Sequence, residues 1–152
     1  MSELTPQRVK DAYDALMSGD RARAAEYWDP EVRFLTPGNH QYAGWHEGLE
    51  TFLDFIDKVQ EASGGSFVID PVTILVNDEG YSIDVNRTSG TRAHAAAGVE
   101  SPYERLQIEG LHLLKWVNGR IVEGRGAIFG DGVTNFNQWW SPVGSDGRRV
   151  TV

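Results

Sequence analysis

The chain opens on helical spacing. Val9, Ala12, Tyr13, Leu16 and Met17 recur every three or four residues and make one apolar stripe. Thr5 is a favoured N-cap, Pro6 suits the first helical position, and Ser18-Gly19 ends the element. Asp20 then caps a second, short helix carrying Ala24, Ala25, Tyr27 and Trp28. Asp29-Pro30 stops it, because a residue before proline avoids helical dihedrals. Val32–Leu35 reads as a short strand that breaks at Thr36-Pro37-Gly38-Asn39. A third helix is predicted over 45–62, with Leu49, Phe52, Phe55, Ile56 and Val59 on one side, closed by Ser63-Gly64-Gly65-Ser66.

From Phe67 the period changes to two. Residues 67–76 are rich in β-branched side chains and end at the turn signal Asn77-Asp78-Glu79-Gly80. Residues 81–88 alternate, Ser89-Gly90 suggests a bulge, and 91–97 continue the strand. A long strand over 103–117 turns at Asn118-Gly119 into a last one over 120–129. Helices first and an antiparallel meander afterwards predict an α+β fold. No repeat or linker interrupts the pattern, so 1–143 reads as a single domain and 144–152 as a polar tail.

Composition narrows the function classes. There is no cysteine, so thiolate metal sites, disulfides and cysteine nucleophiles are excluded, in keeping with a cytoplasmic protein. No run of about 18 apolar residues suggests a membrane span. The net charge of −8 and the lack of a basic stripe argue against nucleic acid. Five Trp, five Tyr and six Phe are a surplus of large flat side chains that either fill the core or, in part, line an apolar pocket.

Tyr13 with Ser18-Gly19-Asp20, Trp28-Asp29-Pro30-Glu31-Val32, Pro37-Gly38, Phe52 on a helix, Asn118-Gly119-Arg120-Ile121-Val122-Glu123 and Phe129-Gly130-Asp131 resemble the nuclear transport factor 2-like superfamily. Within it they look most like the SnoaL-like polyketide cyclases and the steroid isomerases. The resemblance implies a cystatin-like α+β barrel: a cone-shaped, strongly curved antiparallel sheet packed against three N-terminal helices around a ligand pocket. It also implies a homodimer through the convex sheet face, where Leu111 and Leu113 would supply apolar contact. Thr36 stands where steroid isomerases carry their basic Asp, and a threonine cannot abstract a proton at neutral pH. Tyr13 is the nearest match to the isomerase tyrosine that donates to the oxyanion, and Gly110 and His112 are nearest to its protonated acid.

On the strand before Asn118, Glu104, Leu106, Ile108, Gly110, His112, Leu114 and Trp116 share one face, assigned to the pocket. His112 is then a candidate general base or acid; in the opposite register Glu109 takes that role. Asp131, at the end of the last strand, either meets substrate or caps a carboxy-terminal helix. His40 and His46 flank the pocket border without the carboxylates of a metal site, so no metal is assigned. Asp84 either pairs with Arg92 across the inner face or lies partly solvated on the outer one. Gly124, Gly126, Gly130 and Gly132 lie within and after a hairpin strand and not between a strand and a helix, which excludes a nucleotide loop.

Tyr13, His112, Asp131 and Glu109 are therefore the catalytic candidates. Trp28, Thr36, His40, Trp45, Phe52, Phe55, Leu106, Ile108, Leu114, Trp116, Phe129 and Trp139 are the candidates for substrate contact. The expected activity is that of a cofactor-independent cyclase or isomerase that orients a hydrophobic, polyketide-like molecule. A non-catalytic binding domain, and an epoxide hydrolase or dehydratase, are the alternatives.

Overall fold

The computed structural model describes residues 3–98 and 100–140; the polar tail assigned to 144–152 lies outside them. The elements run α1 (Pro6–Leu16), α2 (Arg21–Ala24), β1 (Trp28–Thr36), β2 (Gly44–Glu47), α3 (Leu49–Ser63), β3 (Val68–Val76), β4 (Tyr81–Thr91), β5 (Arg105–Val117), β6 (Arg120–Ile128) and α4 (Gly132–Trp140). None of the described helices is long and apolar enough to cross a membrane.

The caps read from the sequence are present: Arg8 N donates to Thr5 Oγ1 at 3.1 Å, and Arg23 N to Asp20 Oδ1 at 3.1 Å. Asn118 (φ 51°) and Gly119 (φ 81°) both take positive φ, as a two-residue hairpin turn requires. Arg21 ties α2 to α3 through Glu50, Asp54 and Asp57 at 2.6–2.9 Å.

The sheet corrects the expected architecture. Its strand order is β2-β1-β6-β5-β4-β3, and β1 runs parallel to β6, so the sheet is mixed. It is open and not strongly curled, and the cone-shaped barrel is not formed. Closure would need β2 to pair with β3, and a four-residue edge cannot satisfy a nine-residue one. There are four described helices, and α3 follows β1 and β2, so the expected three N-terminal helices are also corrected.

Three local assignments shift with it. Trp28 begins β1 instead of ending the second helix, and the third helix starts at Leu49 because 44–47 pair with β1. Gly48 makes the corner at φ 87°, a conformation that favours glycine. The bulge expected at Ser89-Gly90 is absent, since β4 and β5 pair without interruption from Tyr81–Lys115 to Thr91–Arg105. A Cβ on Gly90 would make only ordinary contacts of 3.4–3.7 Å with Phe67. The irregularities fall at Pro71/Thr73 and Lys115/Trp116.

Helices α1, α3 and α4 cover one face of the sheet. Trp28, Phe34 and Phe52 form the centre of the core, with Phe34 and Phe52 stacked at 4.6 Å and Trp28 5.4 Å from Phe52. Each such ring pair adds about 0.5–1.5 kcal/mol beyond area burial.

Candidate active site

β4 inverts the usual alternation. Ser82, Asp84 and Asn86 are buried on the helix-covered face, while Ile83 and Val85 alternate with them onto the outer face. Uninterrupted pairing with β5 sets Asp84 opposite His112 and Asn86 opposite Gly110. Helix α1 brings Tyr13 over the same spot.

Asp84 is 1% exposed, and three side chains converge on its carboxylate. Tyr13 Oη donates to Oδ1 at 3.0 Å, Asn86 Nδ2 donates to Oδ2 at 2.6 Å, and His112 Nδ1 lies 2.7 Å from Oδ2. With Nδ1 engaged by the carboxylate, Nε2 is the imidazole nitrogen left for a ligand. Burial first, then the charge of Asp84 and its hydrogen bond, hold the Tyr13 phenol well above its ordinary pKa. Tyr13 is therefore a permanent donor to Asp84 and never a base.

Tyr13, Asn86 and His112 line a cavity of ≈ 100 Å³, with Asp84 buried behind them outside its lining. Its wall is apolar and aromatic, from Leu16, Phe34, Phe52, Phe55, Ile56, Val59, Phe67, Ile69, Ile108, Ile128, Phe136 and Trp140. The polar side chains on it are Tyr13, Thr36, Asn86, Thr88 and His112. Thr36 Oγ1 and Trp140 Nε1 are buried without a hydrogen-bond partner among the described residues.

Of the sequence candidates, Tyr13, Thr36, Phe52, Phe55, Ile108 and His112 line this cavity. Trp28, Leu106, Leu114, Trp116 and Trp139 are buried in the core outside its lining. Their indole nitrogens are satisfied there, Trp28 by the Ala12 carbonyl at 2.9 Å and Trp139 by that of Glu104 at 3.1 Å. Trp116 Nε1 donates to Ser82 Oγ at 2.9 Å. Trp45 lies on the outer face, its ring 3.8 Å from the Arg33 guanidinium. Glu109 is exposed and paired with Arg87 at 3.1 Å. Phe129 is 46% exposed. Asp131 is exposed before α4 and accepts from Thr134 Oγ1 at 2.8 Å.

His40 sits beside the aromatic wall, stacked 6.0 Å from Trp140. Its Nε2 contacts the Pro37 carbonyl at 3.0 Å, and its Nδ1 accepts from Tyr42 N at 3.1 Å, a pattern only the neutral ring can make. Burial lowers its pKa to about 4 despite the Pro37 bond, with His46 adding a smaller push the same way.

Asp84 and Asn86 are the groups that the sequence reading did not place in the site. Asp84 neither pairs with Arg92 nor faces solvent; Arg92 packs instead on the Trp139 ring at 5.3 Å. The available signal was the inversion itself: Ser82, Asp84, Asn86 and Thr88 at period two against Ile83 and Val85.

Comparison with known proteins agrees with this picture. An uncharacterized protein of Mycobacterium tuberculosis is 27% identical over 85 residues, which are 56% of this chain and 65% of that relative's length. The structure of Bal32a from a soil-derived mobile gene cassette superposes with a TM-score of 0.76 at 25% identity, covering 88% of this chain and 94% of that one. TerC, co-crystallized with polyporic acid, gives a TM-score of 0.64 at 12% identity over 82% of this chain and 92% of its own, a likeness of fold alone. The SnoaL-like domain family matches residues 9–124, most of the chain. With helices over one face of a sheet, an aromatic cavity between them and this match along its length, the chain belongs to the SnoaL-like domain family.

Proposed function

We propose that the protein is a cofactor-independent acid/base enzyme of the cyclase or isomerase type, acting on a small hydrophobic, polyketide-like ketone. The observation that carries this reading is that Tyr13, Asn86 and His112 line an otherwise apolar cavity and all meet the carboxylate of Asp84, buried behind them. His112 Nε2 takes a proton from carbon next to the substrate carbonyl. The resulting imidazolium is held by Asp84 through the Nδ1 proton, while Tyr13 and Asn86 fix the carboxylate. His112 then returns the proton to another atom of the substrate, completing an isomerisation or following ring closure. One positioned acid/base group is worth roughly 10²–10⁴-fold, and orientation of the reacting ends can add about 7–11 kcal/mol. Loss of water from a β-hydroxyketone would use the same groups, which keeps a dehydratase within reach of the site.

A binding domain without catalysis is the second reading, favoured by the predominance of apolar residues in the wall. Exchange of the α-hydrogens of 2-tetralone for deuterium, followed by NMR, separates the two. The wild type is expected to accelerate exchange and His112→Ala to lose most of the acceleration. Equal rates with wild type, variant and buffer would transfer the case to the binding reading.

Two copies are proposed to pair through the outer sheet face. Across it Trp45, Leu35, Arg125, Leu113, Ile83 and Leu75 lie side by side in register, and Leu75 is 57% exposed. The acidic net charge of −8 weighs against nucleic acid as a partner.

A further inference from the structure

Beyond the aromatic cavity, the ends of β4 and β5 carry two opposite charges that do not meet. The ladder runs to Thr91–Arg105, and Arg92 N donates to the Glu104 carbonyl at 2.7 Å, so Arg92 and Glu104 stand opposite each other one step further on. An arginine and a glutamate facing each other across two strands ordinarily attract and close a pair. Here they form no ion pair, because the guanidinium turns to α4 instead. Its Nη1 contacts the Trp139 carbonyl at 3.4 Å, and its carbon lies 5.3 Å from the centre of the Trp139 ring. The backbone beneath is pinned as well, with Ala93 N donating to the Ala62 carbonyl of α3 at 2.9 Å.

This arrangement leaves two groups uncommitted. The Nε–Nη2 edge of Arg92 has no partner among the described residues, and neither nitrogen is shut off from solvent. That edge is the fork that takes a carboxylate through two parallel hydrogen bonds. Burial lowers the pKa of Arg92, against a smaller upward pull from Glu104 and Tyr42, so the guanidinium has already lost part of its water. Glu104 uses its backbone carbonyl for Arg92 N and for Trp139 Nε1, while its carboxylate makes no hydrogen bond or ion pair among the described residues. Both side chains line a groove of ≈ 270 Å³ between α3 and the connection from β4 to β5. Lys58 and Glu61 on its wall are closed on each other at 3.4 Å, and His94 is the remaining titratable group there apart from Tyr103. Ala62, Ala93 and Tyr103 add apolar surface. A ligand of one sign would be drawn to one free group and repelled by the other. A ligand that carries both signs satisfies both.

We infer that this groove is a second ligand site, separate from the aromatic cavity, and that it takes a free α-amino acid. The carboxylate lies in the Nε–Nη2 fork of Arg92, the ammonium on Glu104, and the side chain against Ala62, Ala93 and Tyr103. No part of this depends on acid/base chemistry at His112.

Three probes of one carbon skeleton test it: L-leucine, 4-methylpentanoate, which lacks the amine, and 3-methylbutylamine, which lacks the carboxylate. Each is titrated into the ¹⁵N-labelled full chain, and affinity is read from the backbone amide signals of Ala93 and His94. Leucine is expected to bind at least about tenfold more tightly than either analogue, since each lacks one charge-assisted contact. Glu104→Gln should bring leucine level with 4-methylpentanoate, and Arg92→Gln should bring it level with 3-methylbutylamine. These are ratios within one preparation, so partial unfolding cancels. Equal affinities for the three probes, no saturable shift with leucine up to its solubility, or unchanged ratios in the two variants would each overturn the assignment. Exchange of 2-tetralone without leucine binding would remove this site and leave the catalytic reading intact; leucine binding without exchange would do the reverse.

Discussion

Asp84 is a carboxylate with 1% of its surface exposed, and its burial is tolerable because Tyr13, Asn86 and His112 all turn polar atoms toward it. Asp84→Ala would leave those three groups unpaired in an apolar wall and is expected to cost about 3–5 kcal/mol of stability, read by urea denaturation. Asp84→Asn keeps the volume and should be milder in stability, yet should slow 2-tetralone exchange about 10²–10⁴-fold. A variant that exchanges at the wild-type rate would show that the carboxylate only holds the fold. His40 gives a pH dependence of definite sign. Its folded pKa of about 4 lies below the ordinary 6.5, so between these values the unfolded chain binds the proton and the native one does not. Stability from this residue is present above pH 6.5 and is lost as pH falls toward 4. The melting temperature of the wild type should therefore drop more steeply across that window than that of His40→Gln; parallel curves would contradict it.

At the scale of elements, the strands show how local pattern meets packing. The apolar stripe of α1 and the Asn118-Gly119 hairpin were legible because caps and turn dihedrals act within a few residues. The sequence left the register of β5 open between His112 and Glu109, and the structure turns the more apolar side, with His112, inward. β4 defeats that rule: its polar side is inside, because the partners of Asp84 come from α1 and β5. β2 was read as helix because four residues carry too little period to distinguish the two. The glycines of β6 were read as relief for bending or close packing, and Gly124 fits the second, with Phe34 lying over it. Gly124→Ala is expected to cost about 1–3 kcal/mol by overpacking, seen as a lower melting temperature. An unchanged melting temperature would mean that Phe34 has room to move.

For the whole molecule, the outer face of the open sheet is the large surface left without a covering layer. Its apolar band of Leu35, Leu113, Ile83 and Leu75 lies beside a charged row of Glu47, Arg33, Glu123 and Lys115. Such an arrangement suits self-association, with apolar contact at the centre and ion pairs at the rim. Light scattering on a sizing column is expected to give a dimer for the wild type and a monomer for Leu113→Glu. A monomeric wild type would dispose of the pairing.

The sequence by itself determined which stretches are helix or strand in most of the chain, the caps and the hairpin turn, and the excess of aromatic side chains that make a cavity. These follow from interactions between near neighbours and from composition. Tertiary structure alone decided the parallel seating of β1 on β6, which makes the sheet mixed. It also decided which indoles are core and which are wall: Trp139 is buried behind the cavity while its neighbour Trp140 lines it. Above all it brought Tyr13 and His112 to Asp84 across 71 and 28 residues of chain. No period of two or of 3.6 encodes that meeting, because the partners of a buried charge are chosen by which layers pack together.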